Sequence, residues 1–186
     1  MNQKKIIGIV GVLLVAILLN IYIFYVANQR VGDNVMLNVD ITADKMNEYQ
    51  LFYGKENWSL ENMVSEKYEK AGEKSWLQFM MPCDLKGFRL DLGDSQSHHR
   101  ISNLYVAYKN KKWEFDLSQV AASCMQEEMG NMIHSARIGE GGDLEVVTEG
   151  NDGYIVLSMP DVYDTVTGMR RDSLRIRYGL VCILVD

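Results

Sequence analysis

The chain has 186 residues, 47% hydrophobic and 24% charged, with 3 Cys and 2 Pro, which allows about one domain and argues against a disordered or disulfide-framework protein. Its 19 Lys and Arg face 25 Asp and Glu, and because Lys4 and Lys5 are the only charged side chains in residues 1–27, residues 28–186 carry a formal charge of −8. That acidity argues against nucleic acid as a partner, since phosphates demand clustered Lys and Arg.

Residues 6–27 are the first element, an apolar run in which Asn20 is the only strongly polar side chain. At about 1.5 Å per residue, a helix of this length just crosses a hydrocarbon core of roughly 30 Å. A cleaved signal peptide has an apolar region of about 7–15 residues with small residues at its exit. Here Tyr22, Phe24 and Tyr25 occupy the exit, as in an interfacial aromatic belt. The segment is therefore predicted to be an uncleaved transmembrane anchor. Lys4, Lys5 and the amino terminus outweigh Arg30, which Asp33 soon meets, so 1–5 is predicted to be a cytoplasmic tail and 28–34 a linker to an extracytoplasmic domain over 35–186. Gly8 and Gly11 are three apart, not the four of a G-x-x-x-G helix-pairing face. Cys83, Cys124 and Cys182 then face an oxidising compartment; one disulfide with a leftover thiol, or three small buried apolar side chains, both fit the count.

The rest of the chain reads as short strands of period two. Phe88, Leu90 and Leu92 alternate with Arg89 and Asp91; Trp113 and Phe115 alternate with charged neighbours; Leu174, Ile176 and Tyr178 alternate with Arg175 and Arg177. Further strands are predicted at 36–42, 49–53, 65–70, 76–80, 101–108, 144–148 and 154–158. Turn residues separate them at 93–95, 109–111, 139–142 and 151–153. Only 117–134 suggests a short helix or a crossing loop, and 174–185 is predicted to be a terminal strand buried on both faces. About ten strands punctuated this way predict an all-β, antiparallel sandwich, jelly-roll-like, behind one N-terminal transmembrane helix.

An ordered string of segments carries a family likeness. Tyr49-Gln50-Leu51-Phe52-Tyr53-Gly54 is followed by 65–68, by 76–81 with Pro82, and by Phe88-Arg89-Leu90-Asp91-Leu92-Gly93; 101–106 and 112–116 complete the order. Residues 49–115 thereby resemble a β-sandwich module of bacterial membrane proteins of cell-surface glycan assembly, including glycosyltransferases of the rhamnan-synthesis kind. Leu92 stands where the module has Pro, and Asn103 where it has a second Ile. The resemblance implies the carbohydrate-binding-like fold and a glycan-related setting, with no catalytic domain.

Catalytic marks are missing: there is no G-x-x-x-x-G-K-[ST], G-x-S-x-G, H-E-x-x-H or C-x-x-C. No catalytic residue, metal site or cofactor is predicted. A glycosidase needs two carboxylates about 5–10 Å apart; Asp91 with Asp94 and Asp161 with Asp164 are the pairs to nominate, and each reads first as strand-end and turn solvation. No D-x-D-x-D-G loop marks a calcium site. His98 and His99 are read as a solvated loop pair and, with Trp58, form the ligand-binding set. Trp58 lies in a polar loop, either as a platform for a pyranose face or as a plug closing the end of the sandwich. Trp76 and Trp113 are both predicted to be core. The expected function is a membrane-anchored, non-catalytic protein of cell-envelope polysaccharide assembly that binds a glycan or a membrane glycosyltransferase; the rival is an assembly subunit that binds only protein.

Overall fold

The alternating segments all become strand except the last, and consecutive strands fall into two sheets in a regular way. The computed structural model describes residues 3–28, 34–54, 59–125, 130–150 and 152–183, with side chains at all of these except 3–8, 24, 26–28, 130, 131 and 174–183. Its elements are α1 (Gln3–Asn28), β1 (Asn34–Ala43), β2 (Asn47–Tyr53), β3 (Met63–Tyr68), β4 (Ser75–Pro82), β5 (Gly87–Asp91), β6 (His98–Tyr108), β7 (Lys111–Glu114), α2 (Leu117–Cys124), β8 (Gly130–Asn131), β9 (Ile133–Ile138), β10 (Leu144–Thr148), β11 (Tyr154–Ser158) and α3 (Tyr163–Ile183). They fall into two compact units, one running over Asn34–Val162 and the other holding α1 and α3.

Within Asn34–Val162, one antiparallel sheet has the order β4-β1-β6-β10-β9, with β7 paired to β6 as a hairpin, and the other has the order β3-β2-β5-β11-β8. The two orders match. Each consecutive pair (β3 and β4, β1 and β2, β5 and β6, β10 and β11, β8 and β9) contributes one strand to each sheet at the same lateral position. The β-sandwich is thus five chain segments, each folded over from one sheet to the other. Alternation supplies its core: Leu37, Val39, Ile41, Phe79, Ile101, Val106 and Leu144 from the first sheet meet Tyr49, Leu51, Phe88, Leu90 and Ile155 from the second, and all are buried.

One prediction is borne out and one is corrected. Within 117–134 the predicted short helix is α2, and the chain re-enters the sheets as β8 and β9. Asp116 caps α2 by accepting a hydrogen bond from the Ser118 N–H at 2.9 Å, and Val120, Ala121 and Cys124 are buried. Burial pushes the Cys124 thiol pKa up to about 12, the behaviour of a small buried apolar residue. Of the predicted terminal strand over 174–185, residues 174–183 are instead the latter part of α3 and the rest lie outside the described residues, so the sandwich ends at Val162 rather than at 186. Five alternating residues fit a strand and a helix equally, and the preceding turns decide the outcome. Asp164 sits in the first turn, the Thr167 hydroxyl lies 2.9 Å from the Tyr163 carbonyl one turn back, and Arg170, Arg171, Leu174 and Arg175 are good helix formers.

In the other unit, α1 and α3 contact each other. Among the described residues, no helix is long and apolar enough to cross a membrane; the unbroken run of described side chains on α1, 9–23, is about 22 Å long. That run is apolar all around, apart from Asn20, whose amide donates to the Ala16 carbonyl at 2.8 Å. The predicted tail 1–5 falls partly, and the linker 28–34 mostly, outside the described residues.

Candidate functional site

The five fold-over points lie side by side and continue the hydrogen-bond ladder around one edge of the sandwich. Gly72 N–H donates to the Ala43 carbonyl at 2.7 Å, Asp44 N–H to His98 at 3.2 Å, Thr148 N–H to Ser97 at 3.0 Å, Leu92 N–H to Gly153 at 2.8 Å and Glu149 N–H to Met132 at 2.8 Å. Side chains tie the same row. Tyr68 is buried with its hydroxyl accepting from Ala43 N–H at 3.0 Å and facing the Ala43 and Glu73 carbonyls, and Asp44 accepts from the Ser97 hydroxyl and from His98 N–H. Burial alone would raise the Asp44 carboxyl, but these bonds hold it below its usual range. Gly93 is at φ 105°, and a Cβ there would meet the Asn47 side chain at 2.7 Å, so only glycine fits that corner.

Thr148 is buried in the row, its hydroxyl accepting from Ser97 N–H at 3.0 Å and facing the Ser95 and Ser97 carbonyls. Thr148→Val keeps the shape and orphans that N–H. It is expected to cost about 1–2 kcal/mol, read as a lower urea midpoint at unchanged slope; an unchanged midpoint would mean the hydroxyl contributes nothing.

The histidine pair departs from expectation. His98 and His99 are in β6, not in a loop, so their side chains leave opposite faces. His99 points inward and is 0% exposed; its Nδ1 shares a hydrogen bond of 2.8 Å with the Tyr49 hydroxyl, and its Nε2 has no partner among the described residues. Burial pushes its pKa down to about 4, outweighing the opposing pull of Asp44. His98 points outward, so the pair cannot act on one ligand. Trp58 lies outside the described residues. No group of three or more His, Cys, Asp or Glu among the described residues is placed to hold a metal ion.

Two shallow clefts flank the fold-over row. One of about 320 Å³ is lined by Met46, Asn47, Glu48, Lys67, Tyr68 and Asp94 among others; the second, of about 290 Å³, is lined by Thr42, Asp44, Gly72, His98, Arg100 and Glu145 among others. The second opens onto the outer face of the β4-β1-β6 sheet. Cross-strand register sets that face in rows: Thr42 and Arg100; then Trp76, Asp40 and Asn103; then Gln78, Asn38 and Tyr105; then Met80, Met36 and Ala107.

Trp76, predicted to be core, is therefore on the solvent face and 58% exposed, and Met80, two rows along the same face, is 52% exposed. The run Trp76-Leu77-Gln78-Phe79-Met80-Met81 is apolar at both parities, which conceals the orientation; the parity of Gln78, the one polar residue, is the signal that points to it. Trp113, also predicted to be core, is half-buried in β7, and Phe115 just beyond it sets its ring edge-on to Phe88 at 5.9 Å. Around Trp76 the polar groups brace one another. Gln78 Nε2 donates to Asn38 Oδ1 at 3.0 Å, Asn103 Nδ2 donates to Asp40 Oδ2 at 2.8 Å, and Lys74 pairs with Asp40 at 3.0 Å. Although burial pushes the Asp40 carboxyl up, the Asn103 and Lys74 contacts hold it below its usual range.

The nominated carboxylates stand in different settings. Asp91 is held by Arg89 at 2.5 and 2.8 Å, while Arg89 also reaches Asp152 at 2.7 Å and stacks on Tyr154 at 3.7 Å. Burial alone would lower the Arg89 pKa, but its bonds and attraction to Asp91 and Asp152 raise it, so the guanidinium stays charged. Asp94 lines the other cleft; Asp161 is exposed and Asp164 is in the first turn of α3. No family, characterised protein or solved structure matches the chain.

Proposed function

We propose that this is a membrane-anchored, non-catalytic, extracytoplasmic protein of cell-envelope polysaccharide assembly, whose jelly-roll-like sandwich contacts a glycan. The observation that carries the anchor is α1: a 26-residue helix, about 39 Å long, with apolar side chains on every side over 9–23. A helix apolar all around is a membrane span or the core of a large protein, and the side chains from Ile9 to Leu19 are mostly exposed. The Asn20 bond to Ala16 supplies the internal partner that a polar side chain needs in lipid. Lys4 and Lys5 before the apolar run favour an N-terminus in the cytoplasm. The glycan reading draws on the likeness of residues 49–115 and on the amide- and aromatic-bearing outer face of the sheet.

Alkaline carbonate washing of membranes from cells that make the full chain is expected to leave it in the pellet, and protease added outside sealed, right-side-out vesicles is expected to digest 34–162. Release by carbonate would overturn the anchor, and full protection from protease would overturn its orientation.

A further inference from the structure

The glycan reading leaves open where on the sandwich a saccharide would bind. Resting on that reading, we propose that the outer face of the β4-β1-β6 sheet around Trp76 binds a neutral oligosaccharide. Its centre is an exposed indole with no ring or cation neighbour among the described residues. Tyr105 differs, since Lys112 covers its ring at 4.0 Å. An indole face takes the C–H surface of a pyranose, and the sugar's hydroxyls then need polar groups at the ring's edge.

Those groups are present and already held in place. Asp40 stands opposite Trp76 in the register, with Asn103 next in the row; Gln78 stands in the adjoining row, about 7 Å further along the strands, fixed there by Asn38, which is itself buried. One polar atom of each amide pair fixes the other, while Gln78 Oε1, Asn103 Oδ1 and Asp40 Oδ1 keep no partner among the described residues. Bracing of this kind lowers the cost of ordering side chains on binding.

Charge selects the ligand. Asp40 is matched by Lys74, Glu114 by Lys112, Asp143 by Arg100 and Glu145 by Arg137. With these acids and bases satisfied in pairs, an anionic sugar gains no attraction from them, and a neutral one loses nothing. A protein partner is the competing occupant, since Met80 and Met36 place apolar side chains two rows further along the same face.

The test uses the full chain in detergent on an array of neutral hexose oligosaccharides beside uronate-bearing ones. Binding is expected to the neutral set. It should fall about tenfold in Trp76→Ala, stay within about threefold in Trp76→Phe, and weaken in Gln78→Ala, with thermal melting of all three near that of the parent because the side chains are on the surface. Neutral-glycan binding that survives Trp76→Ala would overturn this site and leave the glycan reading standing. Absence of any glycan binding by the parent chain, or loss of a co-purifying protein instead of a glycan in Trp76→Ala, would overturn both.

Discussion

Acidification from pH 7 to pH 4.5 is expected to remove about 2–3 kcal/mol of the stability of the sandwich through one side chain, His99. The imidazole is fully buried, bonded at Nδ1 to Tyr49 and edge-on to its ring at 5.8 Å, and burial holds its pKa at about 4. In the unfolded chain, histidine titrates near 6.5. Between those values the unfolded state takes up a proton that the folded state refuses, so stability falls as the pH drops, by about 1.4 kcal/mol per unit, and levels off below 4. The depressed carboxyls act in a different window: the stability from Asp40 and Asp44 is present above about 3.8 and is lost only as the pH falls through their lowered values. Urea unfolding at a series of pH values, for the parent and for His99→Gln, separates them. The parent should lose stability steeply between pH 6.5 and 4 and the variant should not; parallel profiles would mean that His99 is not buried neutral.

The second large effect comes from Tyr68. Its ring is buried edge-on to Tyr49 at 6.3 Å, and its hydroxyl bridges the β3–β4 fold-over to the end of β1 by accepting from Ala43 N–H while facing two carbonyls. Tyr68→Phe keeps the ring and removes every one of those contacts. A buried N–H left without a partner costs about 1–3 kcal/mol, and the carbonyls lose their shared donor as well, so about 3 kcal/mol and roughly 10 °C in Tm are expected. Thermal unfolding followed by near-ultraviolet circular dichroism measures it. A shift under about 2 °C would show that the fold-over does not depend on this hydroxyl.

Tyr49 and its neighbours on the inner face have a parity that is legible in the sequence. Tyr49, Leu51, Phe88 and Leu90 alternate with Gln50, Arg89 and Asp91, so the pleat alone assigns each to a face. Where both parities are apolar, as in 76–81, the pleat carries no label, and Trp76 stands on the side opposite to the one expected. The histidines differ from expectation for another reason: their position after the turn at 93–95 suggests a loop, but the fold-over ends at Ser97 and β6 begins at His98. At 174–178 the pattern is too short to exclude a helix, whose bonds are set by residues a turn away.

By itself the sequence determined the apolar run at 6–27, the acidity of residues 28–186 and nearly every strand, because these depend on local composition and on a period of two. Only the tertiary structure decided which strands pair, that the five fold-overs form one hydrogen-bonded row, that His99 is sealed inside while His98 is not, and that Trp76 stands in the open beside Asp40 and Gln78. Those properties arise between residues far apart along the chain, where register and burial, not local pattern, choose the neighbours.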